Sequence, residues 1–469
     1  MIKNRVKEPD FYYMEPSRIK ERSRPFFYTL VLFAFLVLWN TCQTDRMSVY
    51  SDFPELEQEQ ISQTSFWLGQ VEHPDKVILS PSMVEKMNRR NISRNTIKHP
   101  LFEDLQVKGK YVRQLITADL EWIGGMKKYN IKDQRLNGKE FIKEMRFKMA
   151  MDSIPRNVRV RFGFIVKPSY LRVFPTDEVV LEKPGDFPFD LLQHSFLDMA
   201  EPVALYHVSQ DREWGYVLSS HTCGWVLLKD VAWTFQKELM REYLEAEPFI
   251  IALDWEVPVY EDADLDRLHA TVHMGTRLPL LMKDDHLRIR VPVRKEDGKL
   301  EFRDAYMKND RNVSCQYLEM TARNIARQSF RMLDLPYAWG GRDYQTDCSY
   351  FINVVFKTMG LMLPRNSGGQ IVSIENHRVP KKNKKEFFSR LVPFQTLLFL
   401  PRPDHIMLYI GENEGHYYVI HNKWSYKKRV GGDEKEVLVK KILVSHLQMG
   451  RDSRDGSLFD RISRIGVLR

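Results

Sequence analysis

Beyond residue 42 the spacing of apolar and polar positions changes period twice. From 52 to 151 the pattern is mostly helical. Ser80-Pro81-Ser82 sets a capping hydroxyl and a proline at a helix start, and Phe141, Met145 and Met149 recur four apart after Gly138. At Val158 the period drops to two: Val158, Val160, Phe162 and Phe164 alternate with Arg159, Arg161 and Gly163, which predicts a half-buried strand. Short strand signals continue over 170–173, 203–206, 214–218 and 224–228. A second set begins near Phe249, runs through 257–260, 277–281 and 287–293, and ends at an Asp297-Gly298 turn. Two such groups predict two small β-barrels, over 158–236 and 248–312. Residues 313–469 read as an α+β unit, with a helix around 321–333, another from Cys348, and strands from Leu397 onward. The predicted architecture is multidomain: a helical amino-terminal segment, two barrels and a carboxy-terminal α+β domain.

The first 42 residues follow a different logic. Arg18, Lys20, Arg22 and Arg24 precede an apolar run from Phe26 to Trp39 broken only by Thr29. That run is short of the ~20 residues a membrane span needs and fits a signal-peptide core. Cys42 follows at once, as in lipoprotein processing, although Trp39-Asn40-Thr41 lacks the small residues such cleavage prefers. Export is therefore expected, to the periplasm or with membrane anchoring through the amino terminus. Met14 is an alternative start that gives a more ordinary leader.

Composition narrows the class without changing the outline. The 469 residues carry 43% hydrophobic and 28% charged positions, a globular balance unlike that of a disordered or polytopic membrane chain. A net charge of +9 is small for this length, and the Lys381-Lys382-Asn383-Lys384-Lys385 run has no interleaved aromatics, so no nucleic-acid partner is predicted. Four cysteines exclude a disulfide scaffold or a multi-cysteine zinc framework.

Candidate chemistry concentrates at the carboxy terminus. Asp347 stands where a helix cap is wanted, and Phe351, Val354, Val355 and Met359 keep a helical stripe until Gly360. Cys348 then falls in the first turn, where unpaired N–H groups and the helix dipole favour a thiolate. Residues 405–410 and 416–421 read as a hairpin around a five-residue turn, Gly411-Glu412-Asn413-Glu414-Gly415. Symmetric closure would oppose Ile410 to His416 and His405 to His421, close enough for one imidazole to orient the other. Spacing alone leaves three readings: incidental strand histidines, a Cys/His/His zinc site, or a nucleophile–base pair with an orienting third member.

Four blocks carry a resemblance: Leu335-Pro336-Tyr337-Ala338-Trp339-Gly340-Gly341; Asp347-Cys348-Ser349; Leu363-Pro364-Arg365-Asn366-Ser367-Gly368-Gly369-Gln370; and 405–411 with Val419-Ile420-His421. In this order they resemble the NlpC family of bacterial cell-wall cysteine peptidases. The resemblance implies a papain-like fold with Cys348 as nucleophile, His405 as general base and His421 as the orienting residue, with no cofactor and no metal. It also implies that Tyr337, Asp347, Ser349 and Ser367 shape the substrate site. Gly368 departs from the family, where a second serine is frequent. Upstream, 160–176, Asp190-Leu191-Leu192-Gln193 and 214–225 resemble the bacterial SH3-like domain that precedes some of these peptidases, and Met274-Gly275-Thr276 with Leu278-Pro279-Leu280 resembles a second copy. Such members also carry a helical stabilising segment, which would match 52–151.

The activity so implied is cleavage of the γ-D-glutamyl–diamino acid bond in peptidoglycan stem peptides or muropeptides. Asp347 and Tyr337 would hold the free amine of an N-terminal L-Ala. A wall-binding protein built on the SH3-like modules, or a papain-like acyltransferase or amidase, would be the other uses of the same parts. A reacting Cys348 must be free, which leaves Cys223 and Cys315 as the pair for any disulfide.

Overall fold

The computed structural model describes residues 59–469. The leader over 1–42, Cys42 and residues 52–58 lie outside the described residues. Among the described residues no helix is long and apolar enough to cross a membrane.

Between residues 81 and 148 lie three helices of more than ten residues, Pro81–Ser93, Gly109–Gly124 and Gly138–Lys148. Ser80 Oγ accepts from the Met83 N–H and caps the first, with Pro81 at its opening position. Phe141, Met145 and Met149 are all buried, one face of the third helix and its cap. These helices divide their allegiance. Asn88 on the first donates to Gly360 O at 2.8 Å and accepts from Met362 N–H at 2.9 Å, both in the carboxy-terminal unit. The second and third bury Val112, Ile116, Leu120, Ile123 and Met145 in one apolar core with both sheets that follow.

Those two sheets are antiparallel and seven-stranded. The first includes Arg161–Ile165, Pro202–Val208, Trp214–Leu218, Cys223–Leu227 and, at one edge, Gln193–Leu197. Gly163 is required in it because an added Cβ would lie 2.0 Å from Ala232 O on the neighbouring strand. The second pairs His286–Arg294 with Leu300–Lys308 along nine residue pairs, joined through the Asp297-Gly298 turn where Gly298 has φ +84°. Cys223 and Cys315 are free thiols in this arrangement.

The carboxy-terminal unit is a six-stranded antiparallel sheet in the order Glu375–Arg378, Arg464–Val467, Thr396–Pro401, Asp404–Asn413, His416–Val430, Asp433–His446. The helix Cys348–Lys357 packs on its two histidine-bearing strands. Every residue of that helix from Cys348 to Phe356 is buried, and side chains such as Phe351, Ile352 and Val355 each contribute about 1.5–3 kcal/mol by burial. The chain's early residues close this unit. The strand Val77–Leu79 pairs with Met320–Thr321, Asp75 holds Arg323, and fully buried Trp67 packs at a tilt against Tyr418, ring centroids 5.0 Å apart.

Candidate active site

Cys348 opens its helix, 8% exposed, with Asp347 as N-cap accepting from the Tyr350 N–H at 2.9 Å. Its Sγ lies 3.5 Å from Ser367 Oγ, the first residue of the helix Ser367–Ser373, and the Ile406 N–H points at it from the sheet. Next to Ile406 on that strand is His405, whose Nε2 is 2.8 Å from His421 Nδ1. His421 is wholly buried and its Nε2 meets Ser445 Oγ at 2.9 Å.

The two histidines meet by a different route from the symmetric hairpin. The turn is only Glu414-Gly415: Asn413 pairs with His416, Glu412 with Tyr417 and Gly411 with Tyr418. Ile410 is then a bulge, after which Tyr409 pairs with Val419 and Leu408 with Ile420. Continuing that count opposes His421 to Met407 and Lys423 to His405, so His405 and His421 are diagonal neighbours on one face. Without the bulge, His421 would oppose Leu408 and point away from His405, because a one-residue slip turns a strand over. Gly411, at φ +148°, admits the kink. An added Cβ there would approach Trp67 to 2.9 Å.

Electrostatics also correct the thiolate expectation. Burial, then the adjoining Asp347 carboxylate, push the Cys348 thiol up, against the weaker pull of Ser367, the Ile406 N–H and Arg365. Burial and the Lys423 ammonium hold both His405 and His421 well below the usual imidazole value. Both directions favour the uncharged forms, thiol and imidazole, over the ion pair. For His405 to take a proton on Nδ1, its Nε2 must carry the hydrogen donated to His421 Nδ1, and His421 in turn donates from Nε2 to Ser445. Facing nitrogens bonded to one another do not converge on an ion, and among the described residues no cluster of three or more His, Cys, Asp or Glu side chains could hold a metal.

The expected substrate residues are gathered here, with unequal freedom. Asp347 is saturated: Oδ1 accepts from Tyr350 N–H, from Ser349 Oγ at 3.1 Å and from Arg365 Nη1 at 3.0 Å, and Oδ2 from Arg365 Nη2 at 2.6 Å and Gly340 N–H at 3.2 Å. A carboxylate offers about four lone-pair sites, so this one has none left for an incoming ammonium. Ser349 is likewise occupied, donating to Asp347 and accepting from Arg365 at 3.1 Å. Ser367 stands against the thiol, and Tyr337 is half-buried beside Trp424 with its hydroxyl pushed up by burial and by its proximity to Cys348 and Asp347.

Three nearby groups escaped the sequence reading. Arg365 lies inside a quoted block but received no role there. Ser445 is recognisable only once Val419 is seen to pair with it across the sheet. Lys423 signals itself two residues after His421, on the same strand face, but only in the bulged register does it stand opposite His405. Arg365 also carries the site to the edge strand Gln193–Leu197 of the first sheet, its Nε donating to Ser195 Oγ at 2.8 Å. Gln193 Nε2 reaches Gly340 O at 3.0 Å, and any side chain at Gly340 or Gly341 would strike Gln193 or Phe196.

An α+β unit that sets a helix-start cysteine against a sheet-borne histidine pair has the fold of thiol peptidases. Within that class, residues 334–447 match the NlpC/P60 family and residues 180–227 match the SH3 domain (SH3b1 type), so the chain carries a carboxy-terminal NlpC/P60 peptidase domain preceded by an SH3 domain. Among solved structures, an NlpC/P60 endopeptidase from Photobacterium damselae subsp. piscicida is similar over 86% of this chain and 96% of its own, at 20% identity and TM-score 0.70. An NlpC/P60 family protein from Bacillus cereus ATCC 10987 covers 66% of this chain and 99% of its own at 16% identity and TM-score 0.45. No curated protein matches the chain.

Proposed function

We propose that the chain is an exported cysteine endopeptidase that cleaves the γ-D-glutamyl–diamino acid bond of peptidoglycan stem peptides. The observation that carries this is the ordered series Cys348, His405, His421, Ser445, with the last three joined by bonds of 2.8 and 2.9 Å behind a thiol at a helix start. Cys348 Sγ attacks the γ-glutamyl carbonyl while its proton passes to His405 Nδ1. Because neither charged partner is favoured at rest, transfer accompanies attack. The tetrahedral oxyanion forms at the amino end of the Cys348–Lys357 helix, where backbone N–H groups lack intrahelical partners. His405 then protonates the leaving amine, and water hydrolyses the thioester with His405 as base.

The packing of Gln193 and Phe196 of the first sheet against Gly340-Gly341, whose Gly340 N–H is bonded to Asp347, supports attack on released peptides that end near the scissile bond. A preference for a free N-terminal L-Ala would then rest on Tyr337, since Asp347 is committed to Arg365. Incubation with L-Ala-γ-D-Glu-diamino acid-D-Ala and mass spectrometry tests the reading. Release of L-Ala-D-Glu, lost in Cys348→Ala, is the expected result. Intact tetrapeptide, or transfer of the acyl group to an added amine in place of water, would overturn it.

A further inference from the structure

Beside His405 stand two cations, Lys423 and Arg461, with no acidic partner among the described residues. Lys423 stands across the hairpin from His405 and shares its sheet face with His421. It makes no hydrogen bond and no ion pair with any described residue. Its cross-strand neighbour Lys441 differs, being paired with Asp334 at 2.6 Å. Near Lys423 is Arg461, the last residue of the short helix Leu458–Arg461. It is held by the Arg402 carbonyl at 2.6 Å and likewise has no carboxylate. Asp460, next to Arg461, is taken by Ser457 in the helix cap, and Asp404, next to His405, lies toward Gly368, where its Oδ2 would be 3.7 Å from an added Cβ. Burial, with Arg461 adding to it, brings the Lys423 ammonium down to about 8, and the one group that opposes this is Cys348, when it ionises. His405 feels both cations.

A half-buried ammonium beside a nucleophile, with no counter-charge, is costly unless something arrives to pair with it. We infer that Lys423, supported by Arg461, is the receptor for a carboxylate of the substrate next to the scissile amide. Resting on the endopeptidase reading above, the carboxylate is the free α-carboxylate of the γ-linked D-Glu, three carbons from the carbonyl under attack. Lys423 thereby selects acidic stems over those whose α-carboxylate is a neutral carboxamide. Neither cation takes part in bond making. They hold the acyl part of the substrate while Cys348 reacts.

Two experiments separate this inference from the reading it rests on. The first needs no substrate: Cys348 of the full chain is alkylated with iodoacetate and with iodoacetamide, and the rates are followed on the Cys348 peptide by mass spectrometry. The two reagents differ in one negative charge, so their rate ratio cancels any change in thiol ionisation. Lys423→Gln should lower the iodoacetate-to-iodoacetamide ratio about tenfold and Lys423→Arg should preserve it, the loss expected for one charge-assisted contact. An unchanged ratio in Lys423→Gln overturns the anion site whatever the enzyme cleaves. The second compares kcat/KM for the α-carboxylate and α-carboxamide tetrapeptides. A wild-type preference for the acid that Lys423→Gln abolishes supports the assignment. Equal rates in the wild type, or a preference that survives in Lys423→Gln, refute it. Cleavage of neither peptide by wild-type enzyme, with the alkylation ratio still dependent on Lys423, would retire the stem-peptide reading and leave the anion site standing for another acidic substrate.

Discussion

The two flanks of Cys348 handle charge in opposite ways. On one side Asp347 and Arg365 form a bidentate pair, closed further by Ser349, the Gly340 N–H and the first barrel's Ser195. On the other, Lys423 stands near the same thiol and Arg461 near Lys423 and His405, with no ion pair to an acid among the described residues. Burial of a completed pair fixes architecture, whereas burial of half a pair leaves a vacancy for a ligand. The difference teaches which charges to read as structure and which as recognition, though all four side chains lie within one site.

The largest effect expected belongs to neither flank but to the line between them. Cys348→Ala and His405→Ala should each abolish turnover while leaving the thermal transition in place, measured by peptide cleavage alongside calorimetry. Next is the paired flank. Arg365→Ala strands the buried Asp347 carboxylate and should destabilise the protein by about 3–5 kcal/mol in urea unfolding. Lys423→Ala, which strands nothing, should leave the midpoint unmoved or raise it, and a comparable loss in both variants would erase the contrast. His421→Ala should lower kcat by roughly 10²-fold, within the range for general acid–base assistance, with His421→Asn or His421→Gln retaining more. Ser445→Ala, which frees the far nitrogen of His421, should cost about threefold to tenfold in kcat with KM steady, one hydrogen bond's worth.

The smallest effect is a shift in pH dependence. His405 sits below the usual imidazole value, so it stays neutral as pH falls past 6.5, and the acid limb of kcat/KM should lie below that pH. Removing the Lys423 charge takes away one cause of the depression, so in Lys423→Gln the limb should move up toward 6.5. A limb already near 6.5 in the wild type would contradict the placement of these cations.

Much of the site could be read from sequence because its signals are local. Asp347, Cys348, the apolar stripe and Gly360 describe one capped helix, and propensity and burial agree there. The hairpin shows how a correct face can come from an incorrect register. A five-residue turn opposing His405 to His421, and the observed two-residue turn with a bulge at Ile410, both place the histidines on one side, but only the second accounts for Gly411. Arg365, Ser445 and Lys423 were out of reach for a different reason. Each acquires its role from a partner on another element, and single-chain periodicity carries no information on pairing between strands. The same holds for the early helices, whose 3.6-residue period is silent on which of two neighbours each would bury against.

The antiparallel pairing of Val77–Leu79 with Met320–Thr321, and the Asp75–Arg323 contact across 248 positions, bear on how the molecule is made. These residues leave the ribosome long before their mates exist, so the peptidase domain cannot close during most of synthesis. Contacts this remote in sequence make for slow assembly, and the two sheets between them, which share one core with the second and third helices, can fold first as a unit. Trp67 marks that last event: its indole reaches Tyr418 only when the residues before the first sheet have met the carboxy-terminal sheet. A burst of sheet structure followed by a slow phase of tryptophan emission that Trp67→Phe removes is the order of refolding that this clasp imposes.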